Sequence, residues 1–254
     1  PHHTLRRQRQ MCIRDRSNQL ILIRHGKSVW NKKNIFTGWV DVDLDSEGTS
    51  EALKAAQLIS KVNLRPTVAF TSYLKRAQET LNIILKNLKL HDIEVNYAWE
   101  LNERHYGALQ GLNKNEVKEK YGEEQFLKWR RGYNTPPPAL NTDSEMNPKL
   151  DPLYKGISNL PLTECLADTY ERVIPYWENN IKPIVLKNTT IISAHGNSLR
   201  ALCKYLFSVS DKDIVKLEIP TGNPLMITLN NSCKIQSASY LDALRSENLP
   251  DIGA

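Results

Sequence analysis

The chain has 254 residues, of which 40% are hydrophobic and 24% charged, and its mean hydropathy is -0.48. These values lie near the averages of globular proteins and exclude wholesale disorder and a fibrous repeat. No apolar run approaches the roughly 20 residues that a membrane-spanning helix needs. We therefore expect a soluble globular protein with no membrane partner.

The net charge of +6 is concentrated at one end of the chain. Residues 1–17 contain five Arg and one Asp, so they supply +4 of the total and the rest of the chain supplies +2. Without this segment nothing in the charge favours nucleic acid as a partner. The segment also lacks the apolar stretch of a secretory signal. We interpret residues 1–17 as a disordered leader or cloning remnant and residues 18–254 as a single domain.

The cysteines give no indication of a metal site or a disulfide framework. None of them forms a C-x-x-C pair or clusters with histidine, and they are widely spaced at Cys12, Cys165, Cys203 and Cys233. With no signal peptide, reduced thiols in the cytosol are the expectation. The sequence thus predicts a cytoplasmic protein without a zinc site.

From residue 19 onward, short apolar strands alternate with amphipathic helices. Gln19–Arg24 is an apolar run ended by glycine, typical of a buried strand. Alanine and isoleucine at helical spacing predict a helix over residues 45–62. A strand at 67–71 precedes a strong amphipathic helix, for which Ser72 is the expected N-cap.

The remainder of the chain continues this pattern, with one interruption. A helix carrying Leu199, Leu202 and Leu206 is expected after residue 193, and prolines across residues 132–161 predict an irregular excursion instead of a long helix or central strand. The alternation favours a three-layer α/β fold, helix–sheet–helix, around a mostly parallel sheet. Further strands are predicted at 93–96, 189–193, 224–229 and Ile235–Tyr240.

Two histidines stand where predicted strands end. His25 follows the first strand within Arg24-His25-Gly26, and His195 follows the strand at 189–193 within Ala194-His195-Gly196-Asn197. In an open α/β sheet, ligands bind at the carboxyl ends of the strands. An imidazole nitrogen can accept a phosphoryl group, whose oxygens need cations and backbone donors around them. The two histidines therefore indicate a phosphoryl-transfer site.

Neighbouring residues could complete such a site. Arg24 adjoins the first histidine, Arg76 lies in the first turn of the helix after Ser72, and Glu103 could serve as proton donor and acceptor. Each signal alone has a plainer interpretation. Arg24-His25-Gly26 could be a capped turn, His195 a core histidine and Glu103 a solvated carboxylate. Arg130 and Arg131 could be a charge pair at a helix end. Their joint placement at one sheet edge favours the functional interpretation.

At this point the chain resembles the cofactor-dependent phosphoglycerate mutases of the histidine phosphatase superfamily, over about residues 19–240. The matching segments are Arg24-His25-Gly26, Asn31, 36–39, 71–77, 103–111, Lys114, 129–132, 160–164, 194–200 and 219–222.

The resemblance implies a phosphoglycerate mutase-like fold and interconversion of 3-phosphoglycerate and 2-phosphoglycerate through a phosphohistidine. His25 would be the nucleophile, primed by 2,3-bisphosphoglycerate and no metal, Glu103 the proton donor and acceptor, and His195 a stabiliser of the transferring group. Family members are commonly homodimers or homotetramers. The residues that the resemblance places on phosphate and carboxylate are Arg24, Asn31, Thr37, Gly38, Arg76, Glu103, Tyr106, Lys114, Arg130, Arg131, Gly196 and Asn197.

One departure from the family pattern is Lys27, where the family usually has Glu. A cation there is expected to strengthen anion binding and could alter the stability of the phosphohistidine.

Rival functions are a bisphosphoglycerate synthase or phosphatase, a broad histidine phosphatase, and an anion-binding module without catalytic activity. Ser28 and the Thr37-Gly38 pair favour the mutase over the bisphosphoglycerate synthase. The presence of His25, Glu103 and His195 argues against a module that has lost its catalytic activity.

Overall fold

The strands of the fold join into one sheet whose central strand comes from the start of the described chain. The computed structural model describes residues 18–251, so the predicted leader at 1–17 lies outside the described residues. The strands are β1 (Gln19–Arg24), β2 (Val68–Thr71), β3 (Glu94–Tyr97), β4 (Thr189–Ala194), β5 (Leu225–Leu229) and β6 (Ile235–Tyr240).

The sheet has the order β3-β2-β4-β1-β5-β6. The pairings β1–β4, β2–β4 and β2–β3 are parallel, whereas β1–β5 and β5–β6 are antiparallel. The prediction of a mostly parallel sheet is confirmed, and the two late strands form an antiparallel edge on it. Such an edge is common on doubly wound sheets.

Helices cover both faces of this sheet. A π-helical turn, Trp177–Ile181, joins two of them, and Pro175 lies just before it. The helices are α1 (Val29–Lys32), α2 (Ser46–Lys61), α3 (Lys75–Asn87), α4 (Lys114–Tyr121), α5 (Glu123–Arg131), α6 (Leu166–Tyr176), α7 (Lys182–Val185) and α8 (Gly196–Leu206).

Alternating side chains of β1 supply the two halves of the core. Ile21 and Ile23 pack with α2 and α3 on one face, while Leu20 and Leu22 pack with α6 and α8 on the other. All four are at most 1% exposed, because a central strand of a parallel sheet is buried on both faces. The predicted helix–sheet–helix layers are thus present.

The register of β1 and β4 brings the two strand-end histidines together. Arg24 lies opposite Ala194 in the parallel ladder, so His25 and His195 follow at the same level of the sheet. The ladder continues one step further, since the His25 N–H donates to the Ala194 carbonyl oxygen at 3.0 Å. The sheet itself therefore fixes their separation.

The expectation that Ser72 caps the helix after β2 is wrong. Helix α3 begins at Lys75, and Leu74, which makes no side-chain cap bond, occupies the N-cap position. The Ser72 hydroxyl instead accepts the Leu74 N–H at 3.1 Å and lies 2.7 Å from His195 Nε2. Because Thr71 at the end of β2 pairs with Ser193 of β4, Ser72 leaves the sheet one residue before the level of His195 and its hydroxyl reaches the histidine.

The proline-rich excursion over residues 132–161 supports the loop that carries Glu103. It forms two short 3₁₀ turns, Pro148–Leu150 and Pro152–Tyr154, in agreement with the expected irregular structure. The Tyr154 ring stacks on Trp39 with centroids 5.0 Å apart, and its hydroxyl accepts the side-chain amide of Asn102 at 2.9 Å. Residues next to Glu103 are thus packed from outside the sheet.

Candidate active site

A cavity opens at the carboxyl ends of β1 and β4, where the sequence predicts a ligand. His195 is the one predicted site residue that does not line it; this side chain lies behind His25, with ring centroids 5.0 Å apart. The predicted residues that do line the cavity are Arg24, His25, Asn31, Thr37, Gly38, Arg76, Glu103, Tyr106, Lys114, Arg130, Arg131, Gly196 and Asn197.

The surroundings of His25 prepare one ring nitrogen to act as a nucleophile. Its Nδ1 lies 2.7 Å from the Gly26 carbonyl oxygen, which can only accept, so Nδ1 carries the proton and Nε2 the lone pair. Burial, together with the nearby charges of Arg76 and Arg24, lowers the pKa of His25 well below its ordinary value of 6.5. The ring is therefore neutral at physiological pH.

Two arginines approach this histidine from different elements. Arg76, in the first turn of α3, donates its Nε–H to His25 Nε2 at 3.3 Å and is anchored by the Gly38 carbonyl at 2.7 Å. Arg24, at the end of β1, donates to the Ile219 carbonyl at 2.9 Å. Both guanidinium groups can face the oxygens of a phosphoryl group bound at Nε2.

Gly196 allows the start of α8 to approach Arg24 closely. A Cβ at this position would lie 3.4 Å from Nε and Cζ of Arg24, at the short limit of ordinary van der Waals contact. Gly38 has a different reason to be glycine, because its φ of +55° lies in the left-handed region. A side chain there would also overlap the Gln110 amide, which accepts the Trp39 N–H at 2.8 Å.

His195 is fully buried and held by β2 as well as β4. Its Nε2 contacts the Ser72 hydroxyl at 2.7 Å, while its Nδ1 is buried without a hydrogen-bond partner within residues 18–251. Burial and the charge of Arg76 lower the pKa of His195 well below 6.5. A neutral ring with one nitrogen fixed by Ser72 keeps a defined orientation beside His25.

Glu103 faces the same cavity from the loop that follows β3. Its side chain is buried, and Oε1 accepts the N–H groups of Arg104 at 2.8 Å and Asn197 at 3.1 Å. The second of these donors stands at the start of α8, next to the strand-end histidine. The carboxylate is therefore tied to both sides of the cavity and available for proton transfer.

His105, two residues after Glu103 in the same loop, lies outside the cavity lining. Its ring is fully buried, and Nδ1 accepts the Gly107 N–H at 3.0 Å. Burial, with the charge of Arg172 as a second cause, lowers the pKa of His105 to about 3. A neutral histidine that accepts a backbone N–H is a structural element of the loop.

The rim of the cavity is strongly cationic. Six Lys and Arg side chains line it against two carboxylates, a formal charge of +4. Burial and then the neighbouring cations, Arg130 first among them, lower the pKa of Lys114. A cavity that crowds positive charges in this way favours a ligand carrying several negative charges.

Two charged residues that sequence reasoning did not select also line the cavity. Arg200 on α8 is buried, and burial lowers its pKa to about 10. Its guanidinium donates to Asn197 Oδ1 at 2.9 Å and to the Ile214 carbonyl oxygen at 2.7 Å. Glu218 forms an ion pair with Arg131. The sequence pointed to them only by position, since Arg200 ends the matched segment 194–200 and Glu218 directly precedes the matched segment 219–222.

Several cavity-lining residues have buried polar atoms without a partner among the described residues. These atoms are Arg24 Nε, Thr37 Oγ1 and Arg200 Nε. Buried polar groups are normally hydrogen-bonded, so such atoms at a cavity are available to bind the polar atoms of a ligand. Two N–H donors and one hydroxyl suit the oxygens of phosphate and carboxylate groups.

Lys27 does not contribute its charge to the cavity. Its ammonium group lies 2.7 Å from Glu47 Oε2, and a hydrogen bond to that carboxylate raises the pKa of Lys27. It does not line the cavity. The structure therefore does not support the expectation that Lys27 strengthens anion binding directly.

Within residues 18–251, no three or more His, Cys, Asp or Glu side chains are grouped so that they could hold a metal ion. No helix of this described part is long and apolar enough to cross a membrane.

The sequence of this chain matches that of a known superfamily. The sequence model of the histidine phosphatase superfamily (branch 1) matches residues 20–234, most of the chain. The chain therefore belongs to this superfamily, and the resemblance seen in its motifs is confirmed.

Two relatives are similar to the chain in sequence, and one solved structure is similar to it in fold. Two proteins named 2,3-bisphosphoglycerate-dependent phosphoglycerate mutase are similar to it: that of Maricaulis maris (strain MCS10) is 50% identical over 92% of this chain and 98% of its own length. That of Corynebacterium jeikeium (strain K411) is 52% identical over 88% of this chain and 89% of its own length. A mycobacterial glucosyl-3-phosphoglycerate phosphatase solved with VO3 has a TM-score of 0.67 at 19% identity, covering 86% of this chain and 96% of that one, which supports the predicted fold.

Proposed function

We propose that this protein interconverts 3-phosphoglycerate and 2-phosphoglycerate through a phosphohistidine on His25, with 2,3-bisphosphoglycerate as primer. The observation that carries the proposal is the neutral His25, whose Nε2 lone pair meets Arg76 beside a cavity that Glu103 also lines. The two relatives named as such mutases, half identical over nearly their whole length, support the choice of substrate.

The nucleophile needs no base to remove a proton from it. With Nδ1 donating to the Gly26 carbonyl, Nε2 can attack phosphorus directly, forming the P–N bond as the P–O bond to the departing hydroxyl breaks. Because its pKa is lowered, His25 is not lost to protonation near neutral pH. Arg24 and Arg76 stabilise the oxygens of the transferring group, and His195, which lies behind His25, supports the ring that receives it.

Glu103 moves the proton that each transfer requires. When the phosphoryl group goes from His25 to the free hydroxyl of a monophosphoglycerate, the carboxylate takes the hydroxyl proton. When a phosphoryl group returns from the other position to Nε2, the carboxylic acid gives that proton to the leaving oxygen. The two transfers together move the phosphate between carbons 2 and 3.

The rim holds the substrate's second anionic group and its carboxylate. Arginine forks bind such oxyanions with two parallel hydrogen bonds, so Arg130 and Arg131 fit this task better than lysines would. Lys114 and the Tyr106 hydroxyl complete the rim, the latter accepting the Asn197 side-chain amide at 3.2 Å. Asn31, Thr37 and Gly38 add polar contacts on the opposite side of the cavity.

The residues present also fit the bisphosphate primer. Its two phosphates and carboxylate match a cavity of formal charge +4 with unpartnered buried donors on Arg24 and Arg200. When bound, it supplies the first phosphoryl group for His25. The same residues then hold the monophosphates, so no separate primer site is required.

The test is the turnover of 3-phosphoglycerate with and without added 2,3-bisphosphoglycerate, in the presence of a metal chelator. We expect 2-phosphoglycerate to form at a rate that rises with the bisphosphate and ignores the chelator. Release of inorganic phosphate without isomerisation would contradict the proposal and indicate a phosphatase.

We further propose that the protein acts in the cytoplasm as a homodimer or homotetramer. Support for the location comes from the unpaired cysteine pattern, and support for assembly comes from the family resemblance alone. Light scattering behind a sizing column measures the mass in solution, and a monomeric mass at micromolar concentration would contradict the assembly.

A further inference from the structure

Arg172 on α6 is a buried cation beneath the loop that carries Glu103. Its side chain is 7% exposed and pairs with Glu164, whose side chain is 2% exposed. The pair is bidentate, with Nε 2.6 Å from Oε1 and Nη2 2.8 Å from Oε2. Neither residue lines the cavity. Any effect on the reaction must therefore pass through the groups that they hold.

The remaining donors of Arg172 bind the backbone of the loop. Nη1 donates to the carbonyl oxygens of Glu100 at 2.6 Å and Asn102 at 3.1 Å, and Nη2 donates to that of Glu103 at 3.0 Å. One guanidinium thus fixes three carbonyl groups within residues 100–103. The planar fork of arginine can do this, whereas the single ammonium of lysine cannot.

Glu164 holds the other side of the same loop. Its Oε2 accepts the His105 N–H at 2.7 Å, and its own N–H donates to the His105 carbonyl at 2.8 Å. The backbone is therefore bound before and after Arg104. Of the two backbone N–H groups that orient the Glu103 carboxylate, that of Arg104 belongs to this loop and keeps its place only if the loop backbone does, whereas that of Asn197 belongs to α8.

Fold stability alone does not account for this arrangement. A buried ion pair is often no more stabilising than a well-packed apolar pair of the same volume. Among the described residues, the guanidinium pairs with Glu164, donates to three carbonyl oxygens of the Glu103 segment, and lies over two indole rings, Trp39 and Trp99, at 5.7 and 5.8 Å. The Trp39 indole N–H in turn donates to the Glu103 carbonyl.

We propose that Arg172 and Glu164 are positioning residues that hold the Glu103 carboxylate at the reacting hydroxyl. The inference rests on the proposed function, in which Glu103 moves the proton. A displacement of about 1 Å in such a group can slow a reaction by about a hundredfold. Loss of the fork should therefore reduce kcat while KM, set by the rim, changes little.

The deciding experiment is a double-mutant cycle on kcat for 3-phosphoglycerate. Arg172→Lys keeps the charge but loses the fork, and we expect it to lower kcat by about ten- to a hundredfold. If the residue acts through Glu103, the same change made in a Glu103→Gln background should cost much less, because the positioned carboxylate is already gone. Equal costs in both backgrounds would overturn the positioning role.

A second donor gives an independent readout. Phosphorylation of His25 by nitrophenyl phosphate breaks a P–O bond to an oxygen that is stable as an anion and needs no proton. We expect Arg172→Lys to slow phosphorylation by 2,3-bisphosphoglycerate much more than phosphorylation by the nitrophenyl ester. Equal slowing of both would also overturn the proposal.

Two further variants separate positioning from stability. Val185→Ala removes buried volume in α7, away from the cavity, and its effect on kcat should be small and the same in both backgrounds. The neutral pair Arg172→Gln with Glu164→Gln avoids a buried unpaired charge, and we expect it to fold yet stay slow. Recovery of kcat along with stability would overturn the proposal. A wild-type chain that takes phosphate from neither donor would instead overturn the proposed function itself.

Discussion

The two sides of the candidate active site are built in different ways. The histidine side comes from the sheet: Arg24 opposite Ala194 fixes the level at which His25 and His195 emerge. The opposite side, with Glu103, Lys114, Arg130 and Arg131, comes from a loop and from α4 and α5, which have no strand to place them. The loop side therefore depends on buried side chains such as Arg172 for its geometry. Backbone register positions the nucleophile, and side-chain networks position its partners.

The largest effect should come from the sheet side. Replacement of His25 by alanine removes the only proposed phosphoryl acceptor, so turnover and phosphate incorporation should both fall by at least about 10⁴-fold. Activity assays and intact-protein mass spectrometry measure the two quantities. His91→Ala, at an exposed position before β3, is the matched control. Substantial turnover without His25 would contradict a covalent mechanism.

The next effect tests the loop side. Glu103→Gln keeps the size of the side chain but cannot move a proton, so kcat should fall by about 10²–10⁴-fold. KM should change little, because the cationic rim is unaltered. Exposed Glu123→Gln serves as the control. An unchanged kcat would remove Glu103 from proton transfer.

A change on the rim should affect binding more than chemistry. Arg131→Leu removes a guanidinium group that forms an ion pair with Glu218. Because Glu218 is partly exposed, the loss of this partner should cost little stability. One charged hydrogen bond is worth about 1.5–3 kcal/mol, so KM should rise by about ten- to a hundredfold with a smaller change in kcat. Exposed Arg65→Leu is the control. If kcat falls while KM is constant, Arg131 instead contacts the reacting group.

The smallest effect is expected at Lys27. This residue lies two positions after His25 in the sequence, but its side chain pairs with Glu47 and does not line the cavity. Lys27→Glu places a carboxylate beside Glu47 and leaves the His25 contacts intact. We expect kcat to change by less than about tenfold, and the hydrolysis rate of the phosphohistidine to change little. A larger change in either rate would show that this position acts on the reaction.

The sequence predicted the sheet side well because its signals are local. Apolar runs ending in Arg24-His25-Gly26 and Ala194-His195-Gly196 place both histidines at strand ends without knowledge of any contact. Ser72 shows the limit: its position before a helix is typical of a cap, yet its hydroxyl contacts His195, 123 residues further along the chain. A local rule has no access to that partner.

Apart from Glu103, the loop side was predicted through the family resemblance. Arg172 binds carbonyls 69 to 72 residues away, and neither periodicity nor a motif connects it to Glu103. Glu218 and Arg200 likewise reach the cavity through tertiary packing. The antiparallel edge strands β5 and β6 were expected as strands without a direction, because an apolar run does not specify which neighbour it pairs with.

The central claim is a phosphoryl group carried on His25 between substrates. The most direct measurement phosphorylates the protein with labelled 2,3-bisphosphoglycerate, removes the donor, and follows the label after rapid mixing with unlabelled 3-phosphoglycerate. The account predicts that the label sits on the peptide containing His25 and moves to phosphoglycerate at least as fast as kcat. Label that never attaches to His25, or that appears only as inorganic phosphate, would contradict it.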